Sequence, residues 1–139
     1  MEGLLVLVAA LVGAVAFGLW RRRTDGRVTS QDARADDQLT PADLGAPLGE
    51  RVTFVQFSSA FCQPCRANRQ VLDHLARTDQ GVVHVDIDAE SNLDLVRRLG
   101  VTRTPTTFVL DTAGAVRHRA VGPLRLADAR MVAAEVARS

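Results

Sequence analysis

Two cysteines three positions apart are the residues of this chain best suited to do chemistry. They are Cys62 and Cys65, they enclose Gln63 and Pro64, and the chain has no other cysteine. Two thiols at this spacing can exchange electrons with a disulfide of another molecule, or they can hold a soft metal ion. The same spacing also occurs in zinc sites, so the pair alone leaves these uses open.

The segments on either side of the pair predict a strand followed by a helix. Residues 52–57 are rich in Val and Phe, which is typical of a strand. Beyond the pair, apolar residues recur at helical spacing, at Ala67, Val71, Leu72 and Leu75. Cys62 therefore lies near the first turn of a helix, predicted over residues 64–77. Unpaired N–H groups and the helix dipole stabilise an anion there, so this thiol ionises more easily and becomes reactive.

The rest of the carboxyl-terminal hundred residues alternates between strand and helix patterns. The predicted elements are a short helix opened by Thr40 and Pro41, a strand over residues 82–87, a helix opened by a capping box at Ser91 to Asp94 and ended by Gly100, a hairpin of strands 106–110 and 115–121 across the turn 111–114, and a last helix over residues 126–138. This order predicts an α/β sheet with helices on both faces.

With these elements in place, the chain resembles thioredoxins. Three features carry the resemblance: the C-x-P-C pair after an apolar strand, Thr104-Pro105 before a later strand, and Gly122 before the final helix. The resemblance covers residues 39–139. It implies a thioredoxin-like fold, with a mixed central sheet between two layers of helices, and the activity of a thiol–disulfide oxidoreductase.

The resemblance also assigns roles to single residues. Cys62 is expected to be the nucleophile and Cys65 the resolving thiol, with Gln63 and Pro64 between them tuning the pair. Pro64 lacks an N–H and has a fixed φ, so it stiffens the turn.

A substrate-binding surface is implied as well, made of Phe61, Thr104, Pro105 and Gly122. Pro105 is expected to follow a cis peptide bond, and the backbone of Thr104 to pair with an extended substrate segment.

The sequence departs from thioredoxins at three positions. Phe61 replaces a tryptophan and keeps an apolar side chain without the indole donor. Gln56 stands where the family has a buried acid that helps to deprotonate the resolving cysteine, and an amide cannot take that proton. His84 replaces the lysine partner of the acid, and we consider it either a substitute base or a hydrogen-bonded strand histidine. The other two histidines, His74 and His118, are expected at the surface.

The amino terminus predicts a transmembrane anchor over residues 1–23. Residues 3–20 carry no charge and no proline, and a helix of this length approaches the ~30 Å thickness of a bilayer core. Trp20 and three arginines then mark an interface. A cleaved signal peptide is the alternative, but its amino-terminal region would carry a basic residue. Residues 24–38 are polar and are predicted to be a solvated linker before the domain of residues 39–139.

Charge asymmetry predicts the orientation of the anchor. Arg21, Arg22, Arg23 and Arg27 follow the apolar segment, whereas Glu2 and the terminal amine precede it. The positive-inside rule then places the domain in the cytoplasm at the cell membrane, with the extracytoplasmic side as the alternative.

Composition excludes some functions and leaves three hypotheses. The net charge of +1 gives no reason to expect nucleic acid as a partner, and with two cysteines and no histidine near them a structural zinc site is not expected. We expect a membrane-tethered protein-disulfide reductase with no bound cofactor. Its partners would be protein disulfides and an electron donor, either a thioredoxin reductase or a membrane thiol conduit. The alternatives are a thiol-based metallochaperone and a redox-inert binding adaptor on the same fold.

Overall fold

A computed structural model describes residues 1–30 and 37–139 of the chain. The described part contains five helices and five strands, in the order α1 (Glu2–Thr24), β1 (Val28–Ser30), α2 (Pro41–Leu44), β2 (Val52–Ser58), α3 (Gln63–Thr78), β3 (Val82–Asp88), α4 (Leu93–Arg98), β4 (Thr106–Leu110), β5 (Val116–Val121) and α5 (Leu126–Arg138). The alternation of strands and helices and the final hairpin follow the sequence prediction closely.

The strands form one mixed sheet in the order β1-β5-β4-β2-β3. β2 pairs in parallel with β3 and antiparallel with β4, so both of its edges are occupied and all seven of its residues are buried. Successive residues of β2 point to opposite faces. Phe54 belongs to a core cluster with Leu72 of α3 and Val132 of α5, and Val55 belongs to a second cluster on the other face. The mixed sheet between two helical layers confirms the expected fold class.

The domain begins earlier than the sequence suggested, because β1 lies within the predicted linker. Val28 pairs with Ala120 and Ser30 with His118, which adds β1 to the edge of the sheet beside β5. The linker prediction is therefore wrong for Val28–Ser30. Residues 31–36, which also belong to that predicted linker, lie outside the described residues.

The capping box predicted at Ser91 is wrong as well. Asn92 is the N-cap of α4 and its side chain makes no capping bond. The side chains of Ser91 and Asn92 bond to Asp88, at the end of β3, instead. The Ser91 hydroxyl donates to the Asp88 carboxylate at 2.6 Å, and the Asn92 amide donates to the Asp88 carbonyl at 2.9 Å.

A capping box is present at α2 instead. There Thr40 and Asp43 bond reciprocally. The backbone N–H of Thr40 holds the pKa of the Asp43 carboxyl below its usual range.

Helix α1 stands apart from the sheet. It runs from Glu2 to Thr24, and none of its residues is buried. Among the described residues it is the one helix that is long and apolar enough to cross a membrane, and a signal sequence near an amino terminus would have the same character. Only residues 25–27 separate α1 from β1.

Candidate active site

The two cysteines lie at the turn between β2 and α3 and form a disulfide. Cys62 is the N-cap of α3, and its sulfur accepts a hydrogen bond from the Cys65 N–H at 3.2 Å. Cys62 is partly exposed, whereas Cys65 is only 1% exposed. Cys62 is therefore the member of the pair that a second molecule can approach from solvent, while Cys65 is buried. Gln63 and Pro64 form the first helical positions and are exposed.

Phe61 presents its whole side chain to solvent beside the pair. Its side chain is 100% exposed, and its backbone has φ 59°, a left-handed value uncommon for an aromatic residue. This backbone turns the chain sharply between β2 and α3. The phenyl ring is consequently an apolar surface next to Cys62 that is free to contact another protein.

The loop before β4 closes the other side of the pair. The Thr104–Pro105 peptide bond is cis, as the resemblance implies. Thr104 places its hydroxyl 3.8 Å from the Cys62 sulfur, and Pro105 is buried behind it. The hydroxyls of Ser59 and Thr104 share a hydrogen bond of 2.8 Å, which ties the loop to the end of β2. The sequence analysis did not single out Ser59, and its position directly after β2 is the signal that would have indicated it.

Gly122 lies behind this loop and not on its open face. It is buried, with φ 91°, and its N–H donates to the Pro105 carbonyl at 2.8 Å. A Cβ at this position would approach the Gly26 nitrogen to 3.1 Å and the Asp25 side chain to 3.3 Å. The structure thus places Gly122 between the cis-proline loop and the segment that follows α1. Its role in substrate binding stays a prediction.

Gln56 lies directly under the pair and is fully buried. Its amide nitrogen donates to the Cys65 carbonyl at 2.9 Å and to the Ser58 hydroxyl at 3.0 Å. A backbone carbonyl only accepts, so the nitrogen must face Cys65. The amide oxygen has no hydrogen-bond partner among the described residues. Gln56 thus supports the backbone of the buried cysteine and leaves one acceptor unused.

The comparison with known families agrees with this geometry. A family model described as Thioredoxin matches residues 43–133, which is more than half of the chain. The chain belongs to the thioredoxin family.

Curated relatives match this thioredoxin over about half of its length. The human "Thioredoxin domain-containing protein 2" is 34% identical over 71 residues, which cover 49% of this chain and 13% of that protein. The thioredoxin of Echinococcus granulosus is 26% identical over 70 residues, which cover 50% of this chain and 65% of that protein. The chain thus covers less than two thirds of the length of either relative.

Solved structures agree in fold. A chloroplastic thioredoxin z superposes with a TM-score of 0.57 at 26% identity, over 65% of this chain and 81% of that one. A mutant thioredoxin from Halobacterium salinarum gives a TM-score of 0.60 at 20% identity, over 77% of this chain and 96% of that one. The close cysteine pair on a thioredoxin fold supports redox chemistry of the thiol–disulfide class.

In this thioredoxin a hydrogen-bond chain through Ser58 connects Gln56 to the carboxylate of Asp86 on β3. Gln56 and Asp86 are register partners, and the Ser58 hydroxyl donates to Asp86 at 2.5 Å. The other carboxylate oxygen of Asp86 accepts from Arg69 Nε of α3 at 2.7 Å. A chain of hydrogen bonds therefore connects the Cys65 carbonyl, through Gln56 and Ser58, to an ion pair at the surface. Sequence reasoning missed this network, because its members come from three separate elements.

His84 takes no part in that network. It pairs in register with Phe54 and its Nδ1 lies 2.6 Å from the Asp73 carboxylate of α3. Its Nε2 has no partner in the described part of the chain. Of the two interpretations of His84, the hydrogen-bonded strand histidine fits these contacts.

The prediction for His74 is confirmed and that for His118 is wrong. His74 is exposed on α3, but His118 is only 7% exposed. Along β5 buried residues alternate with less buried ones, and His118 falls on a buried position, with its Nε2 3.7 Å from the Glu135 carboxylate of α5. The described residues contain no cluster of three His, Cys, Asp or Glu side chains that could hold a metal ion.

Proposed function

We propose that this thioredoxin is a membrane-tethered protein-disulfide reductase in which Cys62 attacks and Cys65 resolves. The observation that carries the proposal is the unequal exposure of the two cysteine residues at the start of α3. Cys62 is accessible and caps the helix, whereas Cys65 is buried one turn further on. Only Cys62 can meet a protein disulfide from solvent, and only Cys65 is placed to meet the sulfur of Cys62.

The exchange then balances in two steps. The Cys62 thiolate attacks one sulfur of a substrate disulfide, forms a mixed disulfide and releases the other substrate sulfur as a thiolate, which takes up a proton. Cys65, after losing its proton, attacks the Cys62 sulfur and releases the second substrate thiolate. Two electrons have moved to the substrate, and the Cys62–Cys65 disulfide has formed. A donor dithiol, supplied by a thioredoxin reductase or a membrane thiol conduit, restores the pair. No bound cofactor takes part in these steps.

The substrate surface of this proposal combines an apolar platform with backbone groups. Phe61 is fully exposed on one side of Cys62, and the partly exposed Thr104 borders it on the other. Pairing of an extended substrate segment with the backbone of Thr104, as in strand addition, would hold a substrate disulfide against Cys62. Pro105 and Gly122 lie behind Thr104 and fix its position.

Trapping of mixed disulfides tests the roles of the two cysteines. Cys65→Ser should accumulate covalent complexes with protein disulfides, because the second step is removed while the first remains. Cys62→Ser should accumulate none, since the remaining thiol is buried. Non-reducing electrophoresis after acid quenching measures both. Equal trapping by the two variants, or none by either, would contradict the proposed roles.

We place the domain on the cytoplasmic side, on the strength of the arginines that follow α1. The measurement is labelling of Cys62 in the Cys65→Ser chain with a membrane-impermeant thiol reagent, in intact and in permeabilised cells. Protection in intact cells is the expected result, and labelling there would move the activity to exported proteins. Replacing Arg21, Arg22 and Arg23 by Gln should mix the two orientations if these charges set them.

A further inference from the structure

The chain leaves α1 at one of the two edges of the sheet that are formed by the ends of the strands, and "edge" has this sense from here on. β1 is antiparallel to β5, with Val28 beside Ala120, so β1 begins where β5 ends. Because only residues 25–27 separate α1 from β1, the carboxyl end of α1 lies at this same edge.

The disulfide lies at that edge too. β2 ends at Ser58, just before the pair, and its Phe57 is the register partner of Thr106 at the start of β4. Thr106 in turn is the partner of Val121 at the end of β5. The end of β2 and the start of β1 are thus three strand positions apart, which at about 4.8 Å per strand is roughly 15 Å.

Direct contacts fasten the segment after α1 to the substrate loop. Asp25 accepts a hydrogen bond from Arg103, the residue before Thr104, at 3.2 Å. The Gly26 N–H donates to the Val121 carbonyl at 2.8 Å. Gly26 has φ 77°, and a Cβ there would overlap the Pro123 carbonyl, so the two backbones are in close contact. The end of α1 is therefore held against the loop that borders Cys62.

The joint formed by residues 25–27, between α1 and β1, limits how far the disulfide can lie from a bilayer. Trp20 and the arginines after it mark the interface end of α1, about 6 Å before Thr24 at 1.5 Å per residue. Adding about 10 Å for the three residues of the joint and about 15 Å for the lateral separation across the sheet, the Cys62 sulfur lies within roughly 30 Å of the headgroup layer. The opposite edge of the sheet is farther away by the length of β2, roughly another 20 Å.

The surface around the joint carries charges of the sign that anionic lipids attract. A cavity between α1, β1 and α5 is lined by Arg22, Arg23, Arg27 and Arg125, with Asp25 and Asp128 as the acidic residues. Four positive against two negative side chains leave this face basic. A negatively charged cytoplasmic leaflet would draw it, and the disulfide edge with it, toward the headgroups.

We propose that the substrates are disulfides of integral membrane proteins placed close to the bilayer surface, within the short reach of Cys62. This inference rests on the proposed function, both on the anchor and on the reductase chemistry. A freely diffusing protein must enter the gap between the disulfide edge and the headgroups, whereas a membrane protein is already in it. Confinement to one bilayer also raises the effective concentration of such a substrate. The exchange is the one given above: the substrate disulfide becomes two thiols and the Cys62–Cys65 pair becomes oxidised.

The proposal implies a height restriction: Cys62 reduces disulfides close to the bilayer surface faster than disulfides held farther from it. A molecular ruler, a series of substrates whose disulfides lie at different heights above the bilayer, tests this restriction. The pre-reduced full chain is reconstituted in vesicles of zwitterionic and anionic phospholipid together with a single-span peptide that carries a disulfide loop on a helical Glu-Ala-Ala-Ala-Lys spacer. Spacers of about 5 to 40 residues raise the loop by roughly 8 to 60 Å. The single-turnover rate should fall at least tenfold from the shortest spacer to the longest. A rate independent of height would overturn the inference.

A matched chain isolates the cause. Inserting a flexible Gly/Ser segment of about 30 residues between Thr24 and Asp25 leaves the contacts of Asp25 and Gly26 within the domain in place. It removes the short reach, together with the bond from the Asp25 N–H to the Arg21 carbonyl of α1. This chain should reduce loops at all heights at similar rates. If it keeps the tenfold fall, the short joint is not the cause and the inference fails.

A soluble disulfide peptide separates this inference from the proposed function. Both chains should reduce a small soluble peptide equally fast. If neither chain reduces it, the reductase proposal itself fails, and the height restriction falls with it. If both reduce it and the ruler shows no height dependence, only the height restriction is overturned.

Energy transfer measures the geometry without chemistry. In the Cys65→Ser chain Cys62 is the sole thiol, so a fluorophore there can transfer energy to an acceptor on the lipid headgroups. The control carries Cys62→Ser, Cys65→Ser and Thr112→Cys, with Thr112 exposed in the turn at the opposite edge. Transfer from Cys62 should be at least twice that from position 112. Equal transfer from the two positions would overturn the inference.

Discussion

The two edges of the sheet are built on opposite principles. At the edge away from the disulfide, Asp111 accepts the N–H groups of Ala113 and Ala115 and an Arg117 donor, so the turn between β4 and β5 is closed by satisfied polar groups. At the disulfide edge, Phe61 is fully exposed and Gln56 leaves a buried acceptor without a partner in the described structure.

This difference shows where stability and reactivity are placed. The turn of Asp111 uses its hydrogen bonds within the fold and has little left to offer another molecule. The disulfide edge presents a partly exposed cysteine and an apolar ring, features that stabilise the fold little and suit contact with a partner. Substitutions at the first edge should therefore change stability, and substitutions at the second edge should change rates.

The largest effect is expected from Gly114→Ala. Gly114 has φ 86°, and a Cβ there would overlap the backbone carbonyl of Leu39. We expect the free energy of unfolding to fall by about 2–3 kcal/mol, from left-handed strain and the backbone contact together. Urea denaturation followed by circular dichroism measures it.

The matched control for Gly114→Ala is Gly45→Ala. Gly45 has φ 64°, but a Cβ there meets nothing within 4 Å. It should lose only about 1 kcal/mol. Folded protein of either variant should keep its disulfide-reduction rate, and a large loss of rate in folded Gly114→Ala would contradict the division between the edges.

A smaller effect, on rate, is expected from Gln56→Asp. A carboxylate beneath Cys65 can take the thiol proton, which an amide cannot, so single-turnover reduction should rise several-fold near neutral pH. Stability should fall, because the amide donor to the Cys65 carbonyl is lost and a charge is buried. Stopped-flow reduction of a disulfide peptide gives the rate.

Gln56→Asn is the control, since it has the same size as Asp and no acid. Its rate should stay near that of the parent chain. Equal rates for the Asp and Asn variants would show that proton transfer does not limit the reaction, or that the Ser58–Asp86 network already provides for it.

The smallest effect is expected from Asp111→Asn. Burial alone raises the pKa of Asp111, but the bonds from Arg117, Ala115 and Ala113 outweigh it and hold the pKa below its usual range. The carboxylate therefore stabilises the fold above the unfolded pKa of about 3.9, and this contribution is lost as the pH falls through the lower folded pKa.

Asp111→Asn should thus cost about 1 kcal/mol at pH 7, and the difference from the parent chain should shrink below about pH 4. Thermal unfolding across this pH range measures the difference. Asp94→Asn, at an exposed position, should cause no measurable change. A gap that widens in acid would contradict the assignment of the pKa shift.

The sequence predicted those parts of the molecule that depend on local pattern. The C-x-P-C pair, the Thr104–Pro105 step and the periodicity of α3 and α5 each lie within one short segment, and these segments placed the fold and the cysteine pair correctly. The short helix after Thr40 was predicted for the same reason, because Pro41 is typical of a first helical turn and lies directly beside Thr40.

The parts that sequence reasoning missed depend on distant partners. β1 has three residues, only one of them apolar, and it is a strand because β5 offers it an edge. His118 was placed at the surface because it is polar, yet the alternation of β5 turns it toward α5. The contact of Asp25 with Arg103 spans most of the chain, so no local pattern could have indicated it.

The Cys62 sulfur caps α3, and this contact should make the exchange rate of a backbone amide proton depend on the oxidation state of the cysteine pair. In the disulfide the Cys65 N–H donates to an uncharged sulfur of Cys62. After reduction the same N–H would face a thiolate, and hydrogen bonds to charged acceptors are stronger. The first turn of α3 should therefore be held more firmly in the reduced protein. Exchange of the Cys65 amide proton with deuterated water should therefore be slower in the reduced protein, before it delivers electrons to a substrate, than in the oxidised protein afterwards. The exchange rate of this one amide proton would then report whether the cysteine pair is reduced or oxidised.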